Sequence, residues 1–395
     1  MRYILAVRTR KLPLKVYLMF FAISVCALIY TIVSVITNFQ LITNRFYGSI
    51  TVVEIKYTKP SPLGLYRVRP RWNECHIAKL PNITSMQWPS TFISKIPIAA
   101  KRSEGDIDEL PTGFEPAMSA GQAHLYRKLL QVFADTMFSN GLGDRFMLGA
   151  GTLLGSFRHH DFIPWDDEID VLVDVAVRYE VRRLLGTLAP EYLLTVTGQR
   201  DKFFARPVNP DDDDKDVELG RPVPGHSWNW PFIDIGYYGV TKTEVKEIAL
   251  TSLRFESWPI DDIFPLYFRP FGPAWYPAPR NPLKVLQLSF GSGSDCKSSY
   301  FSHALEKYRS VDTKKCQELG LRYPFVERHP CPYVASFVNE DRDRLVEERL
   351  IIRSKASKPI LVHSFCVVAD KTNALASTYG LLLNDNSNGS HSRND

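Results

Sequence analysis

Apolar residues recur along "SAGQAHLYRKLLQVFADTMFSNG" at Leu125, Leu129, Val132, Phe133 and Met137. Spacings of i, i+4, i+7, i+8 and i+12 make one stripe of a helix, and Gly141 marks its stop. "RFMLG" then reads as a short strand. At "EIDVLVD" the period changes to two, and alternate side chains of a strand share a face. Asp166, Glu168 and Asp170 fall on one side, with Ile169, Val171 and Val173 on the other. Asp174 is placed to cap a following helix, "VAVRYEVRRLLGTL". "YLLTVTG", "KFFARPV" and "FIDIGYYGV" read as further strands, with the polar loop "NPDDDDKDVELGRPVPG" before the last. The acid run Asp211–Asp214 in that loop reads as a solvated stretch, because four consecutive side chains cannot point one way.

The longest apolar run lies near the start. "VYLMFFAISVCALIYTIVSVIT", Val16 to Thr37, carries no charge and is long enough to cross a bilayer as a helix. Arg2, Arg8, Arg10, Lys11 and Lys15 precede it without an acidic residue, which keeps the N-terminus cytosolic and sends the remainder across. A cleaved signal peptide has similar flanks, but this run exceeds a usual signal core and no small-x-small site follows closely. The expectation is a retained signal anchor at 16–37 behind a cytoplasmic tail, 1–15. Residues 38–118 lack periodicity and read as a stem and irregular approach to a domain at 119–295. The region 296–395 carries most of the cysteines, offers no chemical handle, and ends in the polar tail "NDNSNGSHSRND".

Charge and cysteines refine this organisation. Beyond the first 15 residues the chain carries 43 basic and 43 acidic side chains, a balance that argues against a nucleic-acid partner. With 27 prolines and 12% aromatics, a loop-rich α/β or α+β protein is expected rather than a helical bundle. Cys75, Cys296, Cys316, Cys331 and Cys366 follow the apolar run without a C-x-x-C, which poorly supports a zinc site. Disulfides among the last four suit an oxidising lumen, in a connectivity the sequence leaves open. Asn82 and Asn388 head N-glycosylation sequons.

The acids demand a counter-charge, because like charges this close repel and burying one unpaired is costly. Oxygen ligands at Asp166, Glu168 and Asp170 suit Mg²⁺ or Mn²⁺. Upstream, "GTLLGS" offers Gly151, Thr152, Gly155 and Ser156, read as a small-residue turn on which a phosphate can approach backbone N–H groups. An acidic strand edge in solvent is the plain alternative. A calcium loop fits badly, because counting from Asp166 it would need Gly where Val171 stands and Glu where Val177 stands.

A Gly-Ser element, a gap of about ten residues and an acid-apolar-acid strand resemble the nucleotidyltransferase fold of the DNA-polymerase-β superfamily. More specifically, "GTLLGSFRHHDFIPWDDEIDV" resembles the signature of the LicD and fukutin-related family. "WPFIDIGYY" is similar to the family's later strand bearing one more acid, here Asp234. "PLYFRPFGPAWYPAPRNPLKVLQLSFG" is similar to its closing segment, and the resemblance spans about 119–295. The family often has Asp where Glu168 stands, and the extra methylene moves that carboxylate outward. The implied fold is an α+β, DNA-polymerase-β-like mixed sheet with flanking helices, behind one transmembrane helix.

The resemblance also implies roles. Glu168 and Asp170, with Asp166, would ligate the ions. Asp234 would be a ligand or the general base for an acceptor hydroxyl. Gly151, Thr152, Gly155 and Ser156 would hold the donor's phosphates. Arg158 would neutralise charge on the departing nucleotide. Trp165 reads as core or as a lid on the strand, and His159 and His160 as a solvated pair or local hydrogen-bonders. The expected activity is metal-dependent transfer of a phospho-alcohol group from a CDP-linked donor to a glycan or glycoprotein acceptor. The expected location is the Golgi or endoplasmic reticulum membrane. A UDP-sugar glycosyltransferase and a non-catalytic glycan-binding scaffold are the competing readings.

Overall fold

The computed structural model describes residues 80–89, 113–197, 200–207, 220–248, 256–332, 343–353 and 358–383. All belong to one unit, Val53–Asp395. The expected tail and membrane anchor, most of the expected stem, Cys26, Cys75, Asn388 and the Asp211–Asp214 run lie outside the described residues. Among the described residues, no helix is long and apolar enough to cross a membrane.

The expected helix forms as α1, Ala120–Ser139, with Ser119 and Gln122 closing a reciprocal capping box at its start. Its stripe residues Leu125, Leu129, Phe133 and Met137 are buried. Strand β1, Phe146–Leu148, leads into helix α2, Ala150–His159. Strand β2, Ile169–Asp174, follows the acids, and Asp174 caps a single 3₁₀ turn before helix α3, Arg178–Gly186.

Strands β3, Tyr192–Thr195, β4, Asp201–Ala205, and β5, Phe232–Val240, match the three expected downstream strands. With β6, Glu244–Glu247, and β7, Ser257–Pro259, they complete a seven-stranded mixed sheet. Its path runs β1-β2-β5-β4-β3, with β6 on β5 and β7 on β6. Only β2 and β5 run parallel to each other. Ile169, Val171, Ile233, Ile235 and Phe203 are fully buried and anchor the centre of the sheet in the core. A hairpin of β8, Tyr267–Phe271, and β9, Ala274–Ala278, leads to helix α4, Pro282–Phe290, which Asn281 caps.

The described residues beyond 295 pack onto this body. A small hairpin, β10, Phe301–Ser302, with β11, Lys307–Tyr308, precedes a three-stranded antiparallel sheet. That sheet consists of β12, Phe325–Pro330, β13, Asp343–Ile352, and β14, Ile360–Asp370. Disulfides join Cys296 to Cys316 and Cys331 to Cys366. The first sits in a buried cluster with Phe114, Trp165, Tyr323 and Phe325, so Trp165 is a core residue, its indole N–H donating to the Lys297 carbonyl. This bridge closes a loop with a sequence separation of 20 residues, for which chain entropy alone gives about 3 kcal/mol. Replacing both cysteines by Ser should lower the unfolding free energy in urea by about that amount. A loss below about 1 kcal/mol would show that the denatured chain gains nothing from the missing cross-link.

Of the two readings of the histidine pair, solvation is excluded and hydrogen bonding remains. His159 and His160 are buried, not solvated. His159 Nδ1 lies 2.7 Å from the Pro324 carbonyl, and His160 Nε2 lies 2.9 Å from Glu348 Oε2. Burial pushes His159 down to about 3 and His160 down to about 4, although the Glu348 carboxylate favours the charged form of His160. The reason is the C-terminal sheet, which covers the end of α2. Arg269 and Arg328 both reach Glu348 and also donate to the Ser156 and Phe157 carbonyls, satisfying acceptors that a helix end leaves open. The described residues 80–89 of the approach are packed as well: Ile83 is buried against Phe365 and Val367, and Trp275 donates to the Pro81 carbonyl.

Candidate active site: carboxylates at the head of a parallel strand pair

Sheet register brings the acids together. Asp170 in β2 stands beside Asp234 in the parallel neighbour β5, and Asp234 stands beside Lys202 in β4. Side chains in register on adjacent strands share a face, so the three form a row across the sheet. Asp166 and Glu168 lie just before β2, and both reach the start of α2. A Cβ at Gly151 would fall 2.7 Å from Asp166 Oδ2 and 3.0 Å from Glu168 Oε1. Thr152 Oγ1 accepts the Asp170 N–H at 2.7 Å, and the Gly149 N–H donates to the Asp170 carbonyl at 3.1 Å. The helix start is thereby stitched to the strand, and its positive end faces the carboxylates.

The positive charge that the acids require comes from three side chains that the local motif does not contain. Arg200 contacts Asp170 and also pairs with Glu247 at 2.7 Å. Lys202 contacts Asp234. His303, from the turn after β10, places Nε2 2.8 Å from Glu168 Oε2 and Nδ1 3.1 Å from Asp167 Oδ1. Nothing in the spacing around His303 marks it, because it meets its partners across 136 residues of sequence. Asp167 faces this turn rather than the other acids, and its own carbonyl accepts from Tyr126 at 2.6 Å and Trp230 at 3.0 Å.

Electrostatics show how crowded the pocket is. Burial pushes the Asp170 carboxyl well above the usual range, the Glu168 charge adds to this, and Arg200 opposes it. Asp166 is raised by burial and by Glu168. Burial also opposes charge on Glu168, but His303 and Arg200 outweigh it and hold that carboxyl at about 2. His303 is raised well above the ordinary imidazole value: burial works against its charge, and Glu168 and Asp167 prevail. Two carboxyls that cannot both ionise comfortably are pushed apart in this way.

Two of the expected roles change. The element read as a turn at Gly151–Ser156 is helical. Gly155 is a packing residue, because a Cβ there would lie 2.4 Å from the Asp161 carbonyl oxygen. Ser156 is fully buried and its hydroxyl donates to the Pro270 carbonyl at 2.7 Å, so neither residue is placed to meet a phosphate. Arg158 lies seven residues beyond Gly151, about 10 Å along the helix. Its guanidinium is buried at 3.6 Å from the Cys296 sulfur, away from the acids, and desolvation lowers it to about 10. Gly151 and Thr152 do border the site.

The donor set fits a divalent cation. Glu168, Asp234 and His303 each offer one ligand atom, all within 4.8 Å of one another. Asp170 Oδ2 is buried without a hydrogen-bond partner, a costly condition that a cation relieves. Gly151 leaves the space in which Asp166 and Glu168 converge. Gly151→Ala should therefore displace those carboxylates and weaken Mn²⁺ binding about tenfold or more while thermal unfolding changes little. Unchanged affinity in a titration would show that the cradle has no role.

Residues 143–281 match the profile of the family described as LicD/FKTN/FKRP, nucleotidyltransferase domain. Lipopolysaccharide cholinephosphotransferase LicD of Haemophilus influenzae is 38% identical over 68 residues, covering 15% of this chain and 26% of the relative. Ribitol 5-phosphate transferase FKRP of Mus musculus and of Homo sapiens are each 28% identical over 151 residues, covering 38% of this chain and 28% of the relative. The chain thus spans little more than a quarter of the length of these relatives. With signature, register and profile in agreement, residues 143–281 are a domain of the LicD/FKTN/FKRP family.

Proposed function

We propose that this protein is a metal-dependent phosphotransferase that moves a phospho-alcohol group, of polyol phosphate or phosphocholine type, from a CDP-linked donor to a glycan acceptor. The observation that carries this reading is the convergence of ligand atoms from Glu168, Asp234 and His303 within 4.8 Å, with the buried Asp170 beside Asp234 in register. The names of the relatives support the class of group transferred.

Glu168, Asp170 and Asp234, with Asp166 at the rim, would hold Mg²⁺ or Mn²⁺. A bound ion would supply charge stabilisation for a diphosphate linkage and lower the barrier to an acceptor hydroxyl. With an ion holding the carboxylates, the Arg200 guanidinium and the Lys202 ammonium would be available to the donor's phosphate oxygens, for which a planar fork and a compact point charge are well suited. Arg200 and Lys202 would thus take the role expected of Arg158. Asp234 would serve either as one of the ion's ligands or as the base for the acceptor's proton. Thr152 keeps Asp170 in register with it.

The two disulfides support an oxidising compartment. Together with the apolar run at 16–37, they favour a membrane-anchored protein with this domain in the Golgi or endoplasmic reticulum lumen. Assaying the purified protein with CDP-ribitol, CDP-glycerol, CDP-choline and UDP-sugars tests the reading. Turnover of a CDP donor that stops with EDTA is expected. Turnover of UDP-sugars alone would establish a glycosyltransferase, and no turnover together with no ion binding would establish a scaffold.

A further inference from the structure

We infer that His303 is a nitrogen ligand of the metal centre, and that Asp167 is the residue that sets its ring for this. The inference rests on the metal-dependent reading above. It adds a ligand from outside residues 143–281, on the turn between β10 and β11.

Asp167 does not point at the other carboxylates. Its two oxygens accept from three consecutive residues of that turn: Ser302 Oγ at 3.2 Å, the His303 N–H at 3.2 Å, His303 Nδ1 at 3.1 Å and the Ala304 N–H at 3.1 Å. A carboxylate oxygen facing these donors accepts, so Nδ1 keeps its proton, and an ion bound at Nε2 would displace the proton that this nitrogen shares with Glu168. The other ring nitrogen, Nε2, then aims at Glu168 Oε2, 2.8 Å away. A carboxylate that holds one imidazole nitrogen while the other faces a metal is the usual support of a ligating histidine. The ring is 13% exposed and wedged by Phe232 and Phe301, with centroids at 6.0 and 5.1 Å.

The geometry admits an ion. The ligand atoms of Glu168, Asp234 and His303 lie within 4.8 Å of one another, and bonds of about 2.1 Å would draw them together by less than about 1 Å. Asp170 stands beside Asp234 in register, and burial, Glu168 and Asp234 oppose its charge. Two or three carboxylates with one imidazole form a mixed donor set, which suits Mn²⁺ better than Mg²⁺, an ion that prefers oxygen alone.

Pulsed electron paramagnetic resonance on the full-length protein loaded with Mn²⁺ tests this directly. A directly bound imidazole gives a ¹⁴N hyperfine coupling. The wild type is expected to show that coupling and to bind Mn²⁺ at least tenfold more tightly than Mg²⁺. His303→Gln should lose the coupling, retain Mn²⁺ and lose most of the preference, with thermal unfolding as a check on folding. Asp167→Asn should keep the coupling and weaken Mn²⁺ about 10- to 100-fold. Bound Mn²⁺ without nitrogen coupling in the wild type, or coupling that persists in His303→Gln, overturns the inference and leaves the proposed function standing. Absence of any Mn²⁺ binding overturns both.

Discussion

Replacing Asp170 by Asn is expected to cut transfer about a thousandfold while leaving the folded protein intact. Loss of an ion's charge stabilisation is worth several kcal/mol at the barrier, and each 1.36 kcal/mol is about tenfold in rate. Asp234→Asn, one strand away in register, should act alike. The ion-free fold should tolerate Asp170→Asn, because burial and Glu168 already disfavour the charge that the substitution removes. Loss of the Arg200 contact opposes this gain, and Arg200 keeps Glu247. Steady-state kinetics beside thermal unfolding without added metal measures both effects. Wild-type rates in Asp170→Asn would contradict the proposed role, and a collapsed fold would make Asp170 a structural residue.

The largest effect on stability is expected far from the carboxylates, at Glu348. Its side chain is 1% exposed and meets Arg269 through two hydrogen bonds, at 3.1 and 2.9 Å, Arg328 at 3.0 Å and His160 at 2.9 Å. Burial opposes its charge, but Arg269 and Arg328 hold the carboxyl well below its ordinary value. Glu348→Ala leaves two buried guanidinium groups without their counter-ion, a loss of about 3–5 kcal/mol. Urea unfolding of this variant measures it. A change below about 1 kcal/mol would mean that the C-terminal sheet is not held to α2 through this carboxylate. Replacing Glu348, Arg269 and Arg328 together by apolar residues of similar volume should recover much of the loss.

Local chemistry made one half of the site legible and concealed the other. Asp170 alternates in β2 with the buried Ile169 and Val171, so a two-residue period is enough to set it off the core face, and Asp234 follows the same logic between Ile233 and Ile235 on β5. Asp166 and Glu168 precede the strand and reach the site from its approach. The helix at "GTLLGSFRH" was misread because its glycines look like a turn. Leu153, Leu154 and Phe157 carry a helical spacing, and all three are buried. Gly155 is required by the Asp161 backbone against it, a contact that only the folded chain creates. The resemblance sets Arg158 at the departing nucleotide, whereas two turns of helix carry it away from the acids. Arg200, Lys202 and His303 were invisible for the opposite reason: sheet pairing and a turn more than 130 residues distant bring them in. His159 and His160 looked solvated until the C-terminal sheet supplied Glu348 and the Pro324 carbonyl.

The most direct test of the ion site is anomalous diffraction from crystals of this protein soaked in millimolar Mn²⁺. The expected result is a peak bounded by Glu168, Asp170, Asp234 and His303, with Arg200 and Lys202 withdrawn from the carboxylates. A map without such a peak, in which both basic side chains still contact Asp170 and Asp234, would contradict it.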